Sequence, residues 1–212
     1  MSKTLVFQGD SITDCGRCTS GGAGYPEGLF GPGYPGLIAS QLLGHQPEVG
    51  WNIVNRGISG NRVVDLYARW KIDTLNLNPD IISILIGVND TWHEKMRQNG
   101  VEPPRYDKFY RMLLDWSLEV RPDVKFVLLE PFVLPFGAVQ GPDWVEEVAQ
   151  RARIVRQIAR DYNTAFVPVQ EILNDALKRA PQEYWLVDGV HPQPAGHQLI
   201  ADAWMEAAKD LL

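Results

Sequence analysis

Residues 7–18 read FQGDSITDCGRC and bring three kinds of reactive group together: Ser11 behind a Gly-Asp pair, the carboxylates of Asp10 and Asp14, and the thiols of Cys15 and Cys18. Three later stretches are just as polar: Gly57-Ile58-Ser59-Gly60-Asn61, Gly87-Val88-Asn89-Asp90 and Asp188-Gly189-Val190-His191. Together they supply what acyl transfer needs. A serine hydroxyl is a weak nucleophile until a base takes its proton, and a histidine does that near neutral pH. Asp188, three residues before His191, can fix the imidazole tautomer and stabilise the imidazolium that forms. The backbone N–H groups of Ser11 and Gly60 and the side-chain amide of Asn89 are candidate oxyanion donors. Each such donor is worth about 2.7–4 kcal/mol in the transition state.

Plainer uses exist for most of these residues. Ser11 could cap the helix that follows the first strand, and Gly60 could merely permit a left-handed backbone. Asp10 reads as structural, orienting the turn through local hydrogen bonds, and stays outside the catalytic set. Cys15 and Cys18 follow a strand, as a thioredoxin-like pair would, but that reading leaves Asn89, Asp188 and His191 without a purpose. With two cysteines in the chain, a zinc site also lacks ligands. Cys15 is expected beneath the nucleophile turn and Cys18 partly exposed. Residues 31–36, GPGYPG, match a dinucleotide-binding string, yet no strand leads into them and two prolines interrupt them. His45, His93 and His197 read as satisfied by local partners. Among the loop aromatics Tyr25, Phe30, Trp92, Phe132 and Trp185, Trp92 and Trp185 flank the asparagine and the Asp-His pair. They are expected to wall a site that stacks a sugar ring. Arg17 and Arg62 are further substrate-contact candidates, although surface-turn arginines are usually solvated.

Five short apolar runs, 4–8, 51–55, 80–86, 124–129 and 164–169, have the length of buried parallel strands. Between them apolar residues recur every three or four positions, as at Val63, Leu66, Tyr67 and Trp70, and a last helix follows Pro194. Alternating strands and helices predict a doubly wound α/β domain with a parallel sheet, a single unit over residues 1–212. Ligands bind outside the carboxyl ends of such strands, so the four polar blocks would meet at one rim. The Gly/Pro-rich segment 21–36 is expected to be an ordered surface loop near them.

The blocks GDSIT (9–13), NRGISGN (55–61), GVND (87–90) and DGVHP (188–192) resemble, in order, those of the SGNH, or GDSL-type, hydrolases. The resemblance implies Ser11 as nucleophile, Gly60 and Asn89 as oxyanion donors, and Asp188 and His191 as the rest of the triad. It further implies a flavodoxin-like α/β/α sandwich with a five-stranded parallel sheet and no metal or organic cofactor. The longer strings GDSITDCGR, GISGN and ARW (68–70), with Trp92 after GVND, are similar to a bacterial subgroup that includes intracellular xylan and xylo-oligosaccharide acetylesterases. From that resemblance come an acetylated oligosaccharide or other small ester as substrate, and a possible homo-oligomer. Lipid or thioester substrates on the same triad, or a carbohydrate-binding protein with an inactive site, are the alternatives.

Bulk properties narrow the remaining classes. A chain of 212 residues, 45% hydrophobic and 22% charged, suits one soluble domain. Its net charge of -6 offers no basic stripe for phosphates, so no nucleic-acid partner is expected. No run approaches the ~18 apolar residues of a membrane span. The opening MSKTLVFQGD lacks the apolar stretch of a secretory signal, which leads to a cytoplasmic expectation.

Overall fold

Each apolar run forms a strand whose side chains alternate between two faces of one sheet. The computed structural model describes residues 2–19 and 30–212. Strands β1 (Thr4–Gly9), β2 (Asn52–Asn55), β3 (Ile81–Leu85), β4 (Lys125–Leu129) and β5 (Ala165–Val167) pair in parallel in the order β2-β1-β3-β4-β5. Leu5, Phe7, Ile81, Leu85, Val127 and Leu129 point into one core, and Ile82, Ile84, Phe126 and Leu128 into the other. Burial on both faces explains why these strands read as continuous apolar runs rather than as alternating ones.

Nine helices among the described residues cover the sheet and its rim: α1 (Ser11–Asp14), α2 (Tyr34–His45), α3 (Val63–Asp73), α4 (Val88–Arg97), α5 (Pro103–Val120), α6 (Pro142–Asp161), α7 (Val169–Ala176), α8 (Gln182–Trp185) and α9 (Pro194–Ala208). Prolines occupy the first turns of α2, α5, α6 and α9, where the missing N–H costs nothing and the fixed φ suits a helix. Residues of α2, α7 and α9 fill the first core and those of α3 and α5 the second, while α6 gives Trp144 and Val148 to the first and Val155 and Ile158 to the second. Two tryptophans anchor the layers. Trp204 of α9 donates its indole N–H to Ser83 Oγ on β3 at 2.9 Å, and Trp70 of α3 donates to Ser117 Oγ on α5 at 3.0 Å. Both rings are fully buried, so each indole needs such a partner.

The α/β reading and the five-stranded parallel sheet hold. Strand β5 is shorter than expected because Pro168 stands at the N-cap of α7 and cannot donate to a ladder. Helices α4, α7 and α8 are additions to the helices that periodicity predicts. The first is largely polar, with a buried first turn and an exposed far end, and α8 is a single turn. Within the segment 21–36, residues 21–29 and therefore Tyr25 lie outside the described residues, and Tyr34, Pro35 and Gly36 form the first turn of α2 rather than a loop. Among the described residues no helix is long and apolar enough to cross a membrane.

This strand order places the switch in connection direction between β1 and β3, the position at which open α/β sheets bind ligands. The register of these two strands aligns their carboxyl ends. Gly9 pairs with Leu85, so Ser11, just past β1, and Asn89, just past β3, emerge side by side.

Candidate active site

The turn after β1, which carries Ser11, is built by close packing. A Cβ on Gly9 would lie 2.2 Å from Thr13 Oγ1 and 2.4 Å from the Leu85 carbonyl oxygen, so only glycine lets β1 pass this close to its neighbours. Asp10 is the N-cap of α1, its Oδ1 accepting the Ile12 N–H at 3.0 Å. Ser11 therefore does not cap the helix; it is the first helical residue, and its hydroxyl is left for other work. Cys15 ends the turn in a left-handed conformation with φ 38°, and its Sγ lies 3.4 Å from His197 Nε2. Burial, and then the Asp14 carboxylate, push the Cys15 thiol above its ordinary value, the reverse of what a reactive thiolate requires.

The segment that carries Asp188 and His191 is a tight loop closed by the Leu186–Pro192 bridge and by Val187 N–H donating to the His191 carbonyl at 2.7 Å. Gly189 has φ 89°, and a Cβ there would meet the Phe136 and Leu134 carbonyl oxygens at 2.4 and 2.5 Å. This close approach docks the loop on the segment that follows β4. Asp188 Oδ1 accepts the backbone N–H groups of Val190 at 3.0 Å and His191 at 2.9 Å, while Oδ2 lies 2.8 Å from His191 Nδ1. Partial burial raises the Asp188 carboxyl, but the hydrogen bonds from the His191 N–H, its ring and the Val190 N–H outweigh it, and the group sits below its ordinary value. An ionised carboxylate only accepts, so in the neutral ring Nδ1 carries the proton and Nε2 is the bare nitrogen. That nitrogen lies 2.9 Å from Ser11 Oγ. Ser11, His191 and Asp188 thus form one hydrogen-bonded chain although 180 residues separate the first pair.

On the other side of Ser11, the segment after β2 is tied to the turn after β1. Asn55 donates to the carbonyls of Thr13 (2.7 Å) and Phe30 (2.8 Å) and accepts from Gly57 N–H (2.9 Å). Asp14 Oδ2 accepts both the N–H and the hydroxyl of Ser59. Gly60 has φ 83° with open space where a Cβ would be, so conformation rather than crowding calls for glycine there. Asn89 donates one amide N–H to the Asn61 carbonyl at 3.1 Å, which locks its side chain against this segment and leaves its second N–H for another acceptor. Trp92, one turn further along α4, stands 5.9 Å from the His191 ring, backed edge-on by Trp144 at 5.4 Å. It is half-buried and forms a wall beside the histidine.

A family model described as the GDSL-like lipase/acylhydrolase family matches residues 7–199. The acetylxylan esterase of Geobacillus stearothermophilus is 40% identical over 206 residues, covering 95% of this chain and 91% of that protein. The chain belongs to the GDSL-like lipase/acylhydrolase family. As a member it is a carboxylic ester hydrolase. A crystal structure of a Parabacteroides merdae protein assigned to the GDSL-like lipases superposes with a TM-score of 0.92 at 41% identity, covering 99% of this chain and 97% of that one. The solved structure of the Geobacillus esterase, Axe2, gives 0.83 at 38% identity over 97% and 93%. Two catalytic mutants of Axe2 that have been solved replace a serine and an aspartate by alanine.

Not every residue singled out in this esterase reaches the site. Trp185 is 4% exposed, donates its indole N–H to the Ala180 carbonyl at 3.2 Å and stacks edge-on with Tyr184. It lines a separate surface cavity with Arg179, Tyr184, Gln198 and Asp202. The expectation that it walls the site is corrected, because the loop between Trp185 and Asp188 turns the ring back toward α9. Phe132 is likewise wholly buried in the first core. Arg17 donates to the Gly57 carbonyl and Arg62 to Asp65 and Asn99, so both arginines pin loops. His197 lies within α9 rather than in a loop, and burial, helped by nearby His191, lowers it to about 4. It is a neutral acceptor for the Tyr34 N–H at 3.2 Å.

Sequence reasoning passes over Asn55, Asp14, Asp90 and Trp144 as site-building residues. Asn55 has a usable signal, a polar residue ending a buried strand two positions before a glycine. Trp144 has none, since it comes from α6, far along the chain. Among the described residues no cluster of three or more His, Cys, Asp and Glu could hold a metal ion.

Proposed function

We propose that this esterase removes acetyl groups from carbohydrate hydroxyls through an acyl-enzyme on Ser11. His191 Nε2 takes the Ser11 proton as Oγ attacks the ester carbonyl carbon, and Asp188 stabilises the imidazolium. The carbonyl oxygen becomes an oxyanion between the N–H groups of Ser11 and Gly60 and the side chain of Asn89. His191 then gives its proton to the leaving sugar oxygen. In the second half, water enters, His191 takes its proton, and acetate leaves as Ser11 recovers its hydroxyl.

The observation that carries the chemistry is the continuous chain from Ser11 Oγ through His191 to Asp188, at 2.9 and 2.8 Å. The substrate class rests on the likeness to an acetylxylan esterase over most of both chains and on Trp92, whose ring beside His191 gives a sugar an aromatic face.

A series of p-nitrophenyl esters separates this reading from a lipid or thioester hydrolase on the same triad. The acetate is expected to have the highest kcat/KM, with the value falling as the acyl chain lengthens. A preference for long chains would move the assignment to lipids. Failure of an active-site phosphonate to label Ser11 would favour a binding protein without turnover.

A further inference from the structure

Next in the chain to Ser11 and Asn89 stand two buried acids that the acyl-transfer cycle does not use. Asp10 precedes Ser11 and Asp90 follows Asn89, and their exposures are 1% and 0%. Their surroundings differ. Asp90 accepts the Val63 N–H at the start of α3, with its oxygens at 3.1 and 3.3 Å, where the helix dipole favours a negative charge. Asp10 uses Oδ1 for the Ile12 N–H, while its buried Oδ2 has no hydrogen-bond partner.

The charges that face this pair do not balance two carboxylates. From α6, Arg151 is 1% exposed and acts on Asp90, but it also lies 3.8 Å from Glu147, which Lys95 holds in turn. Arg62, ahead of α3, acts on Asp90 from a half-buried position where it is engaged with Asp65. Tyr34 from α2 and Tyr106 from α5 are fully buried, and burial holds both phenols neutral, above their ordinary values. One fully buried guanidinium therefore stands against two fully buried acids, and an unpaired buried charge is costly.

We propose that Asp10 is protonated while Asp90 is ionised, so that the buried pair beside Ser11 and Asn89 carries one negative charge rather than two. Loss of that proton to hydroxide, giving a second carboxylate and water, is what ends turnover at alkaline pH. Burial, joined for Asp10 by the nearby Asp90 charge, lifts both carboxyls to about 7. Two coupled acids lose their protons in two steps that belong to the pair rather than to either residue. A second charge at Asp10 would oppose the oxyanion forming at the N–H of the next residue and would repel Asp90 across the turn. Asp10 is on this account a positioning residue, and the inference rests on the acyl-transfer reading of Ser11.

The test is the pH dependence of kcat for p-nitrophenyl acetate in wild type and Asp10→Asn, a neutral copy of the protonated acid. In wild type kcat should fall about tenfold per pH unit above the second ionisation. Asp10→Asn should remain within about tenfold of wild type at neutrality and show no such fall, because its side chain cannot ionise. An infrared difference spectrum at neutral pH should show a protonated-carboxyl C=O band in wild type that is missing from Asp10→Asn. The same alkaline fall in both proteins, a flat wild-type profile, or a missing band overturns the proposal. The band is read without turnover, so it decides the question even if Ser11 is not the nucleophile or the variant folds poorly.

Discussion

Ser11→Ala should lower kcat for p-nitrophenyl acetate by on the order of 10⁶-fold, the scale on which serine hydrolases of other folds lose activity without their nucleophile. Its circular dichroism and melting temperature should match wild type. The two outcomes belong together because of how the turn is made. Asp10, not Ser11, caps α1, and Ser11 sits at a helical position where alanine is the best residue. Oγ contributes one half-buried hydrogen bond, to His191 at 2.9 Å, which is worth roughly 1 kcal/mol net. A loss of activity with a large loss of stability would instead mark Ser11 as a structural residue. Retained activity would remove it from the mechanism.

Asp188→Asn should lower kcat by about 10⁴-fold with little change in KM. The carboxylate accepts three hydrogen bonds, two from backbone N–H groups to Oδ1 and one from the His191 ring to Oδ2. An asparagine that keeps its oxygen on the two N–H groups turns its NH₂ toward the imidazole. His191 Nδ1 must then become the acceptor, its proton moves to Nε2, and no lone pair faces Ser11 Oγ. The loop geometry survives while the base is lost. Stopped-assay kinetics on the small ester measure this directly, and a fall of less than about tenfold would show that Asp188 does not set the tautomer.

The parts of this molecule legible in its sequence share a physical reason. Strands buried on both faces leave apolar runs that need no partner to be read, and glycines such as Gly9 and Gly57 sit beside polar residues because two backbones approach closely there. Ser11 and Asn89 stand out because short polar blocks follow strand ends, and Asp188 and His191 because theirs comes just before the last helix. What stays hidden depends on distant packing. Trp92 and Trp185 look alike in the sequence, each beside a reactive block, yet one leans on Trp144 next to His191 while the other folds onto the Ala180 carbonyl. Likewise, Asp10 orients its turn as its residue type and position suggest, but its proximity to Asp90 comes from the pairing of β1 with β3. No local pattern encodes which buried guanidinium, here Arg151 of α6, will face the pair.

Acetate release from acetylated xylo-oligosaccharides, measured side by side for wild type and Ser11→Ala, tests the central claim most directly. Steady release by wild type and none above background by Ser11→Ala is the predicted result. Rapid turnover of p-nitrophenyl acetate without any release from the oligosaccharides would contradict the carbohydrate assignment, and release by both proteins would contradict the serine mechanism itself.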